Sequence, residues 1–254
     1  MTTTMTSSTI RRIVVISDIQ TPYEDFKAIR NVANFIQRWK PDDVLCVGDE
    51  IDFQTISRWS SGKDEWSQTI GKDRDRTREI LHMLKVKHLS RSNHTDRLYK
   101  ALSLRLPGLI GLPELEYENF MGLKELGITY HRKPYRFHES AAMVHGDEQP
   151  IKHQGGATAL EASKRHGLSI VCGHTHRLGV TWHTTASGGE ITSKLFGLEV
   201  GHLMREEAAL YTKGTFNWSK GFGIIYIDRK RVIPVAVPIE RDGTFVVEGK
   251  RYPR

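Results

Sequence analysis

Four short apolar runs each end in residues able to bind a metal ion or move a proton. Ile13–Ser17 is followed by Asp18, and Val44–Val47 by Gly48 and Asp49. Ala141–Val144 is followed by His145 and Gly146, and Ile170–Cys172 by Gly173, His174, Thr175 and His176. Asn93 and His94 add a further polar pair between them. Carboxylate oxygen together with imidazole nitrogen suits a divalent transition metal. The adjoining glycines let the backbone turn sharply where a strand ends. Each residue alone has a plainer explanation. An Asp after a strand forms a turn or caps a helix, and an isolated His there is usually a surface or hydrogen-bonded one. The ordered set along one chain is what points to a metal site.

The elements that must position these residues follow from periodicity. Arg12–Ser17 is a continuous apolar run that suits a strand buried on both faces. From Glu24 to Trp39, apolar residues recur at helical spacing, and Pro41 stops the helix. Asp43–Val47 reads as a second buried strand, so the unit is βαβ with the two strands parallel. Helices are expected over Thr69–Lys87, Asp96–Leu106 and Glu114–Leu126. Strands are expected at Ala141–Val144, Ser169–Cys172, Val180–His183, Gly223–Ile227, Val232–Val237 and Thr244–Val247. The chain therefore reads as one α/β domain over 1–254, with a disordered tail at 1–10 and a largely helical insertion over 53–127. In open α/β sheets, sites form beyond the carboxyl ends of the strands, which is where the candidate ligands fall.

The ordered set resembles the calcineurin-like metallophosphoesterase family. The family pattern Asp-x-His, Gly-Asp-x-x-Asp, Gly-Asn-His, His and Gly-His-x-His appears here in five pieces. They are Asp18-Ile19-Gln20, Gly48-Asp49-Glu50-Ile51-Asp52, Ser92-Asn93-His94, His145-Gly146 and Gly173-His174-Thr175-His176. The resemblance implies a four-layer sandwich of two mixed β-sheets flanked by helices, with the C-terminal strands completing the second sheet. It implies two divalent metal ions, with manganese expected and iron, zinc or nickel as the other candidates. Asp49 would bridge them, Asp18 and His176 would hold the first, and Asn93, His145 and His174 the second. A metal-bridging hydroxide would attack phosphorus, while His94 stabilises the transition state or protonates the leaving oxygen. Two positions depart from the pattern. Gln20 replaces a His, and either ligates through its amide oxygen or hydrogen-bonds a metal-bound water. Ser92 replaces a Gly, which would strain the backbone if that position requires a positive φ. Further candidates for contact with the substrate or a ligand are Asp52, Asp96 and Arg177. Asp52 is expected to orient a neighbour, and Asp96 to cap the next helix or to bond His94.

The bulk properties bound the rest. The chain has 254 residues and a formal net charge of +7, which favours anionic partners or is simply a solvated surface. Cys46 and Cys172 each end an apolar run and read as buried thiols rather than a disulfide, which suits a cytoplasmic setting. No apolar stretch approaches the roughly 20 residues that span a bilayer, so no membrane partner is expected. The remaining histidines (His82, His88, His131, His138, His153, His166, His183, His202) read as surface or packing residues, though His202 could approach the site. Trp59, Trp66, Trp182 and Trp218 read as core. The expected function is a phosphodiesterase acting on small diesters such as cyclic nucleotides. The alternative is a metal-dependent DNA or RNA nuclease of the same fold. An inactive scaffold is disfavoured because the Asp and His ligands are intact.

Overall fold

The computed structural model describes residues 10–56, 69–207 and 216–253. The tail expected at 1–10 lies outside them apart from Ile10, and so do Trp59 and Trp66. Strand β1 (Arg11–Ile16) is followed by helix α1 (Phe26–Trp39) and strand β2 (Asp43–Cys46). β1 and β2 run parallel, as the βαβ spacing requires. The Asp25 side chain caps α1 by accepting from the Ala28 amide, and Lys40 ends the helix in a left-handed conformation before Pro41. Helix α2 (Thr69–Met83) crosses to β3 (His88–Ser90), and helix α3 (Asp96–Arg105) leads towards β4 (Thr129–His131).

The six-stranded sheet has the order β11-β10-β1-β2-β3-β4, where β10 is Gly221–Asp228 and β11 is Arg231–Pro238. Its first four strands in sequence are parallel, and β10 and β11 are antiparallel additions. The second sheet has the order β5-β6-β7-β9-β8. Its strands are β5 (Tyr135–His138), β6 (Ala141–Met143), β7 (Ser169–Cys172), β8 (Leu178–Ser187) and β9 (Glu190–Val200), again mixed.

Alternation along the strands explains why there are four layers. In β1, Ile13 and Val15 point between the sheets, where they join Leu45, Met143, Val171, Leu198 and Ile225. Val14 and Ile16 point the other way, into a core shared with Ala28, Val32 and Phe35 of α1, Ile80 and Leu81 of α2, and Leu98 of α3. In β7, Val171 faces inward while Ile170 and Cys172 pack on Ala159 and Ala162 of helix α5 (Ala157–His166). The layers are thus helices, six-stranded sheet, five-stranded sheet and α5. Both cysteines are buried and free.

Several expectations change. Within the largely helical insertion expected over 53–127, the described residues include a strand, β3, which pairs with both β2 and β4. The helix expected over Glu114–Leu126 is reduced to a turn at Pro113–Leu115 and the short α4 (Tyr117–Phe120), and Gly122 follows with φ of 57°. The C-terminal strands do not complete the second sheet. β10 and β11 extend the first, and β12 (Phe245–Val247) pairs with β13 (Lys250–Tyr252) in a separate hairpin, with Phe245 against Phe35 of α1. The strand expected at Val180–His183 is one arm of the longer β8–β9 hairpin. Its turn is Gly188–Gly189, both at positive φ, between the paired Ser187 and Glu190. Trp182 sits on that hairpin, 46% exposed beneath the Lys194 ammonium, rather than in the core.

Candidate metal centre

The loops leaving β1, β2, β3, β6 and β7 converge, and each carries residues singled out by their order in the sequence. His145 is buried, and its Nδ1 donates to the Val47 carbonyl at 2.8 Å. That bond turns Nε2 into the site, 2.8 Å from Asn93 Oδ1 and 3.4 Å from Asp49 Oδ2. Asp49, His145 and His174 each offer one ligand atom, all within 4.8 Å of one another. A second cluster lies beside the first. His176 Nε2 is 3.0 Å from Asp18 Oδ1 and 2.9 Å from the Gln20 side-chain nitrogen. The other Asp18 oxygen accepts from the His174 amide at 3.0 Å and from the Ser17 hydroxyl, which ties the two clusters together.

The donor set fits divalent cations. If the Gln20 amide donates to His176 Nε2, that nitrogen carries a lone pair, and Asp18 Oδ1 faces it while buried without a hydrogen-bond donor. Likewise His145 Nε2 faces two acceptor oxygens. Acceptor atoms that converge in a buried site need a proton or a metal ion among them, and a divalent cation would take the place of the His145 proton. Turned over about its last bond, the Gln20 amide would present its oxygen instead, so ligation and hydrogen bonding both remain within its reach.

Electrostatics follow the same geometry. Burial works against ionisation of Asp49, but His145 and His94 overcome it and hold the carboxyl well below its ordinary value. Asp18 is also lowered, burial again being outweighed, here by His176. Burial disfavours the His145 cation, yet Asp49 raises the group to about 9. His174 is lowered by burial and by His145, so its ring stays neutral and able to donate a lone pair.

The backbone is strained where the candidate ligands sit. Asp18, Gln20, Asp49, His174 and His176 all have φ between 49° and 65°. Left-handed backbone at a non-glycine residue costs about 1 kcal/mol or more each, and its concentration here marks a site whose geometry the fold over-determines. Ser92 is not among the positive-φ residues, so the feared strain is absent. Its hydroxyl instead helps to stabilise the Asp49 carboxylate. Gly48, at φ of 105°, is required: a Cβ there would come within 2.7 Å of the Ser92 Cβ and 2.8 Å of His145 Nδ1.

Around the ligands, Asp52 does meet a neighbour. Its Oδ1 lies 2.8 Å from His94 Nδ1 and 2.8 Å from Arg97 Nη1. His94 Nε2 faces Arg97 Nη2 at 3.0 Å and Asp49 Oδ2 at 3.7 Å. Asp96 neither caps α3 nor bonds His94. It is the first residue of the helix, behind Thr95 at the cap position, and Arg91 takes its carboxylate. The same guanidinium holds Asp147 at 2.7 Å and so joins the Asn93 loop to the His145 loop. Arg177 follows His176 directly, and its Nε and Nη1 are buried with no hydrogen-bond partner among the described residues.

Three further residues lie near the site: His202, which the sequence allowed to approach it, and Trp218 and Glu199, which were not anticipated there. His202 is 1% exposed, and its ring centroid lies 5.6 Å from that of His176. Trp218 stands edge-on to His176 at 4.3 Å, not in the core. Glu199 is fully buried and accepts from Thr175 Oγ1 at 2.7 Å, between the two histidines of the pair. A carboxylate inside the apolar run Leu195–Val200 was a readable signal for Glu199. His202 follows the same run and Gly201, whereas Trp218 carries no comparable mark.

The chain is 34% identical to the Gene 54 protein of Mycobacterium phage D29, over 94% of this chain and 97% of that protein. It is 33% identical to the Gene 54 protein of Mycobacterium phage L5, over 94% and 98%. It is similar to the solved structure of vacuolar protein sorting 29 from Cryptosporidium parvum, at 15% identity over 96% of this chain and 95% of that one, with a TM-score of 0.48. The family model described as calcineurin-like phosphoesterase matches residues 11–178. This span covers every candidate ligand and the strands that carry them, and the chain belongs to the calcineurin-like phosphoesterase family.

Proposed function

We propose that the protein is a phosphodiesterase that takes two divalent metal ions, with manganese the expected species. One would be held by Asp18, Gln20, Asp49 and His176, and the other by Asp49, Asn93, His145 and His174. The observation that carries this reading is the convergence of Asp49, His145 and His174 within 4.8 Å, beside the His176–Asp18 pair. Bound cations supply Lewis acidity and make water a nucleophile at neutral pH.

The chain's own residues would do the rest. Asp52 Oδ1 lies 2.8 Å from His94 Nδ1, and Arg97 Nη2 and Asp49 Oδ2 flank Nε2 at 3.0 and 3.7 Å. Burial disfavours the His94 cation, but Asp49 and Asp52 raise the group above its ordinary value. Arg97 pushes the other way, by a smaller amount. His94 can therefore give a proton to the leaving oxygen. Arg177, whose buried Nε and Nη1 lack a hydrogen-bond partner among the described residues, is a candidate counter-charge for the phosphate.

The test is to strip the protein with chelator and restore it with manganese. Turnover of a monoester, a linear diester, 2′,3′- and 3′,5′-cyclic nucleotides and DNA is then followed. Activity is expected on the small diesters only after metal is restored, and activity that survives complete metal removal rejects the reading. The nuclease alternative draws on the net charge of +7. It requires binding to DNA that weakens steeply between about 50 and 200 mM salt, whereas turnover of a small diester should change little.

A further inference from the structure

Beside His176 of the candidate metal-ligand cluster two aromatic rings stand together. The Trp218 ring lies 4.3 Å from His176 at an interplanar angle of 78°, and Phe216 lies 5.3 Å from Trp218 at 40°. Phe216 is 37% exposed, and Trp218 is half-buried. The segment that carries them is pinned on both sides. The Ser219 amide donates to the His176 carbonyl at 2.8 Å, and Asn217 Nδ2 donates to the His153 carbonyl at 2.7 Å. Polar contacts to a ligand-bearing loop, rather than burial in a core, thus hold two ring faces beside the site.

We propose that Phe216 and Trp218 form a stacking platform for the nucleobase of a nucleotide phosphoester. The inference rests on the phosphoesterase reading of the neighbouring cluster and names the substrate class it would favour. In a nucleotide, one sugar separates phosphate from base. A phosphate held against the His176 side of the cluster therefore carries its base towards the two rings. Every base has a π-face, so aromatic stacking separates nucleotides from aliphatic esters without reading base identity. The exposed Phe216 is the outer face, and Trp218 is the inner ring that sets its distance from the ligands.

The test compares adenosine 5′-monophosphate with ribose 5-phosphate, which carries the same phosphate and sugar but no base. Each is titrated into the full, manganese-loaded chain by calorimetry, with indole fluorescence followed in parallel. The nucleotide should bind about 5- to 150-fold more tightly and quench the fluorescence. Phe216→Ser should remove most of that preference. Trp218→Phe should keep the preference and lose most of the quench. Since Trp218 packs on His176, the Phe216 variant separates stacking from damage to the metal site, and metal content is measured in each variant. Equal affinity for the two ligands, no binding of the nucleotide, or an undiminished preference in Phe216→Ser overturns the inference. Its fate is separable from that of the proposed function. A protein that prefers the nucleotide but hydrolyses no phosphoester keeps the platform and loses the enzyme, and one that turns over diesters with no such preference does the reverse.

Discussion

Replacing Glu199 with Ala should damage both the stability of the fold and the metal site, because one buried carboxylate serves both. Its Oε1 accepts from the Thr158 amide at 2.8 Å and the Ala159 amide at 3.3 Å, at the N-terminus of α5. Its Oε2 accepts from Thr175 Oγ1 at 2.7 Å. Thr158 and Ala159 are fully buried and Thr175 is 3% exposed, so water cannot readily take over these bonds. Each buried donor left without a partner costs about 1–3 kcal/mol. Three such donors, with some relief if water enters the vacated space, amount to about 3–5 kcal/mol. Glu199→Gln keeps an oxygen for the two amides and exchanges charged for neutral hydrogen bonds, at about 1–2 kcal/mol. Urea unfolding would show the difference as a lower midpoint at unchanged m. Thr175 stands between His174 and His176, so Glu199→Ala should also weaken metal binding, followed by titration against a competing chelator. A loss below about 1 kcal/mol in Glu199→Ala, or metal affinity equal to the parent's, would refute the coupling.

Other expectations test the remaining parts. His94→Ala should lower kcat by about 100-fold or more while metal content stays intact, and loss of metal would instead make His94 a ligand or a support for one. Gln20→His should tighten one metal site, since imidazole is the better donor for transition metals. The new side chain must accept the same backbone, at φ of 49°, and an unchanged titration would assign Gln20 to hydrogen bonding alone. His131 is lowered from 6.5 to about 4 by burial and by His88. Its folded value lies below its unfolded one, so the unfolded chain takes up more protons between these pH values. Stability is then full above about pH 6.5 and falls as the pH drops through the window. Discounted for the ring's partial exposure, the effect is about 1 kcal/mol. His131→Gln should flatten that slope in acid unfolding curves, and an unaltered slope would mean that another group carries it.

The candidate ligands were legible because chemistry constrains their residue types locally. Asp18, Asp49, His145, His174 and His176 each follow an apolar run, and burial forces a strand to end where polar residues begin. The parallel pairing of β1 with β2, and α1 with its cap and stop, followed from spacing and from Asp25 and Pro41 in the same way. Signals of that kind were overridden at Glu114–Leu126, where residues with fair helix propensity are divided between two short turns. The Gly188–Gly189 turn and the buried Glu199 were visible in the chain, but their partners lie elsewhere in sequence: Ser187 with Glu190 across a hairpin, and Glu199 with Thr158 and Thr175. By itself, then, the sequence determined which side chains are able to ligate and which elements carry them. Tertiary structure alone decided that His202 and Trp218 stand against His176, that Arg91 joins two ligand loops, and that β10 and β11 extend the first sheet. The physical reason is that local spacing dictates where a strand stops, whereas a contact between loops depends on how the sheets twist and pack, to which residues far along the chain contribute jointly.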